Sequence, residues 1–368
     1  MKFICEKSII QDAINTTSRA VPSKSPISSL EGLMICVGEN VRITGYDLKK
    51  AIYTTFDADI LEPGTAVINA RLFSEMIRRL PDGLVSVSCN ADNGINVKCG
   101  KSEYNFMGLD PKEYPEIPSF DGLNHVSIPQ GMLKEMIAKT IFAVSREEIR
   151  PIYTGTLFEI EEDKLTLVSV DGYRLARRTE TVENSNNENC SFVVPGFALS
   201  DVEKICQDSN VPVEISVGEK HISFTIENNV VITRRLEGEF LNHKKSVPEN
   251  FRFEVEIERQ ELIQVIDRVS LMLSEKNGNP VRMTFNDNSI DCLCLTPLGK
   301  AEDTCSCEGT GEGTLIGFND RYIMDALKAA EGEKIMFCMN TSSSPCIIRA
   351  TEDTGKYTYM ILPVRLHQ

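Results

Sequence analysis

The sequence predicts an α+β chain of three repeated domains, each with two helices and β-sheets. Three observations predict it. First, an apolar strand, a turn and an amphipathic helix are written three times, at Ala66–Ile77, Ser191–Val202 and Thr314–Met324. The copies share almost no identities, yet in each the apolar period switches from 2 to 3.6 at the same point. Second, a strand running into a helix opens each copy, at Phe3–Ile14, Val126–Ile137 and Phe253–Ile266, with Ile10, Leu133 and Leu262 in matching places. Third, paired strands close each copy: Leu84–Cys89 with Ile95–Cys99, Val213–Val217 with His221–Ile226, and Ile335–Met339 with Cys346–Ala350. Turn-forming residues separate the members of each pair.

An alternating strand fills the middle of each copy, at Val41–Thr44, Lys164–Val168 and Ser289–Leu293, and an Asp follows the first two (Asp47, Asp171). A repeat this long is a repeated domain, not a solenoid unit. The expected domains are 1–123, 124–247 and 248–368, with joints near Asp121–Asn124 and Lys245–Glu249. Each is of common domain size.

Composition bounds the function. Apolar residues make up 41% of 368, enough for a core in each domain. No apolar stretch approaches the ~18 residues of a membrane helix, and the segment Met1–Lys7 has no continuous apolar region of a signal peptide. Twelve cysteines without a secretory signal point to reduced thiols in the cytoplasm. The pairs Cys292/Cys294 and Cys305/Cys307 raise a four-thiolate zinc site, but C-x-C on a strand only puts both thiols on one face, and buried packing is the favoured reading. No cofactor is expected.

Catalytic constellations are scarce. The four histidines stand far apart, and there is no nucleophile elbow. The run Gly309–Gly313 lacks the Lys-Ser/Thr ending of a phosphate loop and reads as a flexible connection. Asp171-Gly172-Tyr173-Arg174 is site-like, but is first of all a hairpin turn.

The charge split is more informative. A net charge of −15 argues against nonspecific coating of nucleic acid. Yet the six helical segments, 6–19, 71–80, 131–142, 197–207, 259–272 and 320–330, hold twelve Lys/Arg against ten Asp/Glu. Balanced helices are common, so the count decides nothing alone. If the helices share one face, that face is mildly positive on an acidic body. Six helices packed side by side would enclose a hole of about 10 Å, and twelve a hole of about 28 Å. Only the second passes a duplex roughly 20 Å across. A dimer supplies twelve helices and pairs its edge strands across the junctions.

The residues then carry a resemblance. Tyr359-Met360-Ile361-Leu362-Pro363-Val364-Arg365-Leu366, Val170-Asp171-Gly172-Tyr173-Arg174-Leu175-Ala176, and Gly317-Phe318-Asn319 with Tyr322 resemble motifs of the bacterial DNA polymerase III beta subunit family, the replicative sliding clamps. The resemblance covers all three domains in order. It implies a head-to-tail dimeric ring with helices lining the hole, which encircles duplex DNA and tethers the polymerase. It also implies a groove between domains two and three where the polymerase catalytic subunit, the clamp loader and repair or replication proteins dock by short peptides. No catalytic activity and no membrane partner is implied.

The expected groove residues are Tyr153, Val170, Gly172, Tyr173, Arg174, Leu175, Leu241, Asn319, Tyr322, Met360, Leu362, Pro363, Val364, Arg365 and Leu366. The apolar members suit a partner's aliphatic and aromatic anchors, with Arg174 and Arg365 placed at the rim for polar groups. A core strand could account for some of the apolar tail residues, but Pro363 argues against a central strand and for a chain end on the surface. Leu241, Gly278 and Tyr173 depart from the family pattern and put the pocket's shape in question, and Pro151-Ile152 replaces an aromatic pair that contacts DNA in some relatives.

The expected DNA-facing cations are Lys24, Arg71, Arg78, Arg79, Lys134, Lys139, Arg146, Arg150, Arg268 and Lys328. Phosphate contact without base readout permits sliding. By resemblance, the subunit seam brings Tyr104 and Phe106 to Met272 and Leu273, with Lys98 and Lys101 facing Glu302 and Asp303. Two other classes stay in view, a scaffold without DNA and a hydrolase or transferase. Retention on closed circular but not linear DNA separates the first reading from both.

Overall fold

Residues 1–118, 124–182, 189–273, 280–352 and 355–366 are described by a computed structural model of the chain. Gly278 and most of the first expected joint, residues 121–123, lie outside the described residues. The first third runs β1 (Lys2–Glu6), α1 (Lys7–Thr17), β2 (Gly32–Val37), β3 (Val41–Tyr46), β4 (Lys50–Phe56), β5 (Asp59–Glu62), β6 (Gly64–Asn69), α2 (Ala70–Arg79), β7 (Leu84–Cys89), β8 (Gly94–Cys99) and β9 (Ser102–Met107). The middle third runs β10 (Asn124–Pro129), α3 (Gln130–Ala138), β11 (Gly155–Glu161), β12 (Lys164–Val170), β13 (Arg174–Thr181), β14 (Cys190–Pro195), α4 (Gly196–Ile205), β15 (Pro212–Val217), β16 (His221–Ile226), β17 (Asn229–Arg234) and α5 (His243–Ser246). The last third runs β18 (Phe253–Glu258), α6 (Arg259–Ser270), β19 (Val281–Thr296), β20 (Gly299–Phe318), α7 (Asp320–Ala329), β21 (Lys334–Met339), β22 (Cys346–Ala350) and β23 (Tyr357–Ile361).

Helix spacing explains the helices. On α2 the buried positions are Ala70, Phe73 and Ile77, and on α6 they are Leu262, Val265, Ile266 and Val269. These are the i, i+3, i+4, i+7 stripes of a one-faced helix. Asn69 caps α2 by accepting from Leu72 N, and Asn319 caps α7 by accepting from Arg321 N and Tyr322 N.

Two compact units hold the chain. One comprises residues 1–134 and 197–235, the other 135–196 and 236–368, so the middle copy contributes to both. The first unit contains a five-stranded sheet ordered β5-β1-β7-β8-β9 and an eight-stranded sheet ordered β10-β15-β16-β17-β4-β3-β2-β6. Its core packs Phe3, Ile10, Ile14, Phe73, Ile77 and Val87 among others. The second contains a ten-stranded sheet ordered β14-β11-β12-β13-β23-β22-β21-β18-β20-β19. Leu262, Ile266, Phe285, Phe318, Phe337 and Tyr359 lie in its core.

The structure corrects three sequence expectations. Gly309–Gly313 is not a loose connection but part of β20. Its glycines serve close packing and backbone kinks: a Cβ on Gly311 would come within 2.4 Å of the Phe285 Cβ, and Gly309 and Gly313 take positive φ. Each copy ends on a third strand that the pairing pattern did not reveal, β9, β17 or β23. Finally, Met360 is not part of a surface tail. It sits in β23 between β13 and β22, a strand buried throughout. Pro363, as its chemistry requires, falls beyond that strand.

Cys292, Cys294, Cys305 and Cys307 are all buried on β19 and β20 within the core. Burial pushes Cys305 up to about 12 and raises Cys292 and Cys294 as well, so these thiols stay protonated. Among the described residues no three His, Cys, Asp or Glu side chains group as a metal site.

Candidate functional site

Within the second unit, the groove residues gather around the start of β13. Asp171 sets the turn: its Oδ1 accepts from Tyr173 N at 2.9 Å and Arg174 N at 3.0 Å, and Gly172 takes φ 92°. That conformation favours glycine and turns Tyr173 outward, 64% exposed. The Tyr173 ring stacks on Tyr322 with centroids 6.4 Å apart.

The tail runs beside this turn. Leu362 N donates to Tyr173 O at 2.8 Å, and Val364 N donates to Gly317 O at 2.8 Å. Leu366 lies over Gly317, where a Cβ would meet its Cδ2 at 2.6 Å. A cleft of about 570 Å³ opens along the tail, lined by Leu315, Gly317, Ser342, Ser343, Pro363, Val364, Arg365 and Leu366. Leu315 and the two serines were not anticipated. The polar turn between β21 and β22 was the signal, since it reads only as a loop until the tail is seen to run past it.

Behind the turn lies an apolar floor. Leu175 pairs with Met360 across β13 and β23, and both are buried in a cluster with Ile152, Leu157, Val168 and Ile347. Val170 is buried too. Tyr153, Phe240 and Leu241 are half-buried against that cluster, Tyr153 meeting Phe240 edge-on at 5.6 Å. Val170, Leu175 and Met360 are therefore buried, while Tyr173, Leu362, Pro363, Val364 and Arg365 remain reachable.

Arg174 is not a free rim cation. Its Nε donates to Asp171 Oδ2 at 3.0 Å, Nη1 to Asp325 Oδ2 at 2.6 Å, and Nη2 to the Phe142 carbonyl. The guanidinium also lies 4.3 Å from the Tyr322 ring centre. Arg174 holds the turn, α7 and Tyr322 in register, and only Arg365 is left exposed at the rim. Asn319 likewise uses its side-chain oxygen as the cap of α7.

The basic residues differ in freedom. Arg78 and Arg79 reach Glu75 at 2.8 and 2.9 Å, and Arg78 above all holds that carboxyl below its usual range. Lys134 pairs with Asp208 at 3.0 Å, Lys139 lies 4.0 Å from Glu331, and Arg150 lies over Tyr153. Lys24, Arg71, Arg146 and Lys328 are exposed with no ion pair among the described residues. Arg268 binds Asp303 at 2.6 Å within the chain, an exposed pair.

Among the expected seam residues, Lys98 and Lys101 are exposed in β8 and its turn, and Tyr104 and Phe106 lie on β9, an edge strand, half-buried against their own core. Met272 and Leu273 are likewise half-buried against the second unit's core. Their neighbour Leu271 is 81% exposed. Glu302 pairs with Lys300.

Comparison with known proteins covers the whole chain. Sequence models of the DNA polymerase III beta subunit match as its N-terminal domain at residues 1–118, central domain at 127–242 and C-terminal domain at 244–365. The beta sliding clamp of Bacillus subtilis is 31% identical over 379 residues, covering 100% of both chains. Among solved structures, the B. subtilis DNA polymerase sliding clamp aligns with TM-score 0.95 at 30% identity over 100% of both chains. The DNA polymerase III beta chain of Streptococcus pneumoniae aligns with TM-score 0.93 at 28% identity, covering 99% of this chain and 100% of that one.

Proposed function

The chain belongs to the DNA polymerase III beta subunit family, and from that membership we propose that it is a replicative sliding clamp. Two copies form a ring around duplex DNA and tether DNA polymerase III for processive synthesis. The clamp is the processivity subunit and leaves catalysis to the polymerase. The observation that carries this reading is the full-length match, in order, of all three clamp domains. We place the domain limits at 1–123, 124–247 and 248–368, and the work in the cytoplasm. Among the described residues, no helix is long and apolar enough to cross a membrane.

Partner peptides from the polymerase catalytic subunit, the clamp loader and repair or replication proteins dock along the tail, beside Tyr173, Leu362 and Val364. The stacked Tyr173 and Tyr322 rings and the floor of Leu175 and Met360 suit an aliphatic and an aromatic anchor, and a few such anchors supply most of the affinity of a small interface. Measuring retention on closed circular DNA against linear DNA, with the loader supplied, tests the ring. Retention on linear ends, or none on circles, would refute it.

The expected DNA-facing cations read phosphates only. Exposed pairs such as Arg78 and Arg79 with Glu75 contribute little, being solvated and screened, so a phosphate competes easily for them. Replacing Arg78 and Arg79 together with Glu is expected to shorten retention on circular DNA and to lower the salt dependence of binding by about two phosphate contacts. The dimer should persist, with the melting temperature lowered only slightly by the like charges set beside Glu75. Sequence-specific footprints, or salt-independent binding, would count against the reading.

A further inference from the structure

The segment that leads from the middle third to the last third is fastened to one face of one strand. Alternate side chains of a strand share a face, and on β11 that face presents Leu157, Glu159 and Glu161. Leu157 lies in the apolar cluster against which Phe240, Leu241, Val247 and Phe251 of the segment pack. His243 Nε2 stands 3.1 Å from Glu159 Oε2, and Lys244 Nζ reaches Glu159 at 3.1 Å and Glu161 at 2.6 Å. Asn242, between Leu241 and His243, caps α5 by accepting from Lys245 N. The cap ties the placement of Leu241 to that of His243.

The two polar fastenings are unequal. Lys244 is half exposed, and solvated, screened ion pairs contribute little. His243 is 3% exposed, and a hydrogen bond made away from water is costly to lose. Only the tautomer with its proton on Nε2 can donate to the carboxylate. That leaves Nδ1 buried, with no hydrogen-bond partner among the described residues. A proton added there would have nothing to bond while the segment stays docked. Burial accordingly lowers His243 against the opposing pull of Glu159, and Arg177 on β13 and Lys244 on α5 add to the lowering. Glu161 enters through Lys244, whose charge it shares with Glu159.

Resting on the groove reading above, we propose that His243 is a positioning residue for the groove. Its hydrogen bond to Glu159 holds Phe240 and Leu241 at the edge where a docking peptide meets them, and it does so while the ring is neutral. Phe240 in turn supports Tyr153 edge-on. A base depressed by docking favours the docked form above its free value, ~6.5 for histidine, and loses that advantage as pH falls towards the docked value. Each unit of depression biases the segment about tenfold against docking in acid. Peptide affinity therefore declines in mild acid, and by linkage a bound peptide lowers His243 further.

Anisotropy titration of an end-blocked, uncharged Leu-Phe-bearing peptide against the full-length wild type, His243→Gln and His243→Ala, at about pH 7.5 and about pH 5.5, tests this. Wild type should lose affinity several-fold in acid. His243→Gln keeps a donor towards Glu159 but has no titrating ring, so its affinity should be the same at both values. His243→Ala removes the donor and should bind about tenfold more weakly at both. The histidine proton resonance that the Gln variant lacks should titrate at lower pH with peptide bound than without. Glu135, a carboxyl raised in the same unit, is present in all three and cancels in the comparison. Melting curves at both values check folding, and if the Ala variant does not fold, the Gln comparison decides alone. Equal loss in acid by wild type and the Gln variant, or loss in neither, would overturn the role of His243 while leaving the groove standing. A wild type that binds the peptide at neither value would overturn the groove and this inference together.

Discussion

Deleting residues 362–368 is expected to abolish binding of a Leu-Phe-bearing peptide and stimulation of the polymerase, while the chain still folds and dimerises. The tail supplies one wall of the cleft through Pro363, Val364, Arg365 and Leu366. Among the described residues its hydrogen bonds to the body are two backbone bonds, from Leu362 N and Val364 N. Such bonds contribute roughly 0.5–1.5 kcal/mol each, so the loss, with some half-buried apolar surface, stays well below what a domain's core provides. Terminal segments beyond the last strand tolerate removal for this reason. The deletion starts at 362 because residues 357–361 form β23, a strand buried in the ten-stranded sheet. Cutting at 357 instead should unfold the second unit. Peptide titration by fluorescence anisotropy, a primer-extension assay and a melting curve read the three outcomes. A truncated chain that unfolds would make the tail structural. One that still binds at full strength would place the site elsewhere.

Much of the fold was legible because its signals are local. Helix stripes such as Phe73 and Ile77, and the hairpins Leu84–Cys89 with Gly94–Cys99, need only neighbouring residues to be read. That the tail lies at the surface along a cleft was legible as well, from apolar residues broken by Pro363. What was not legible depends on distant partners. Arg174 looks like a rim cation in sequence, but Asp325, 151 residues away, and Phe142 take up its donors. Met360 looks like tail until Leu175 is seen opposite it. Gly309–Gly313 looks flexible because the residue that needs Gly311 is Phe285, on another strand. Arg177-Arg178 drew no attention, since a pair of arginines on a strand usually means a solvated edge.

Replacing Arg178 with Met is expected to destabilise the chain by about 3 kcal/mol at neutral pH, the low end for removing one partner of a buried ion pair. Arg178 is fully buried on β13, among Glu135 on α3, Glu180 on its own strand, and Glu331 just beyond α7. Lys356 approaches Glu180 and Glu331 at 3.5 and 3.4 Å, and Lys139 lies 4.0 Å from Glu331. Met keeps the apolar volume of the stem but leaves the carboxylates short of a cation. Burial alone would raise Glu331, but the Glu135 carboxyl, Arg178 and Lys356 outweigh it and hold Glu331 at about 2. A carboxyl depressed on folding stabilises above its unfolded value, and that stability is lost as pH falls from about 4 towards 2. Glu135 runs the other way. Its bond to Glu331 and then its burial raise it, so its share is present in acid and lost as pH rises through its folded value. The Arg178 effect rests on ionised Glu331, so the gap between wild type and variant should narrow in acid. Urea unfolding at pH 7 and near pH 3 measures it. An equal gap at both values would mean that Arg178 stabilises by packing alone, and the cluster would then be a solvated bystander rather than the tie between α7 and β13.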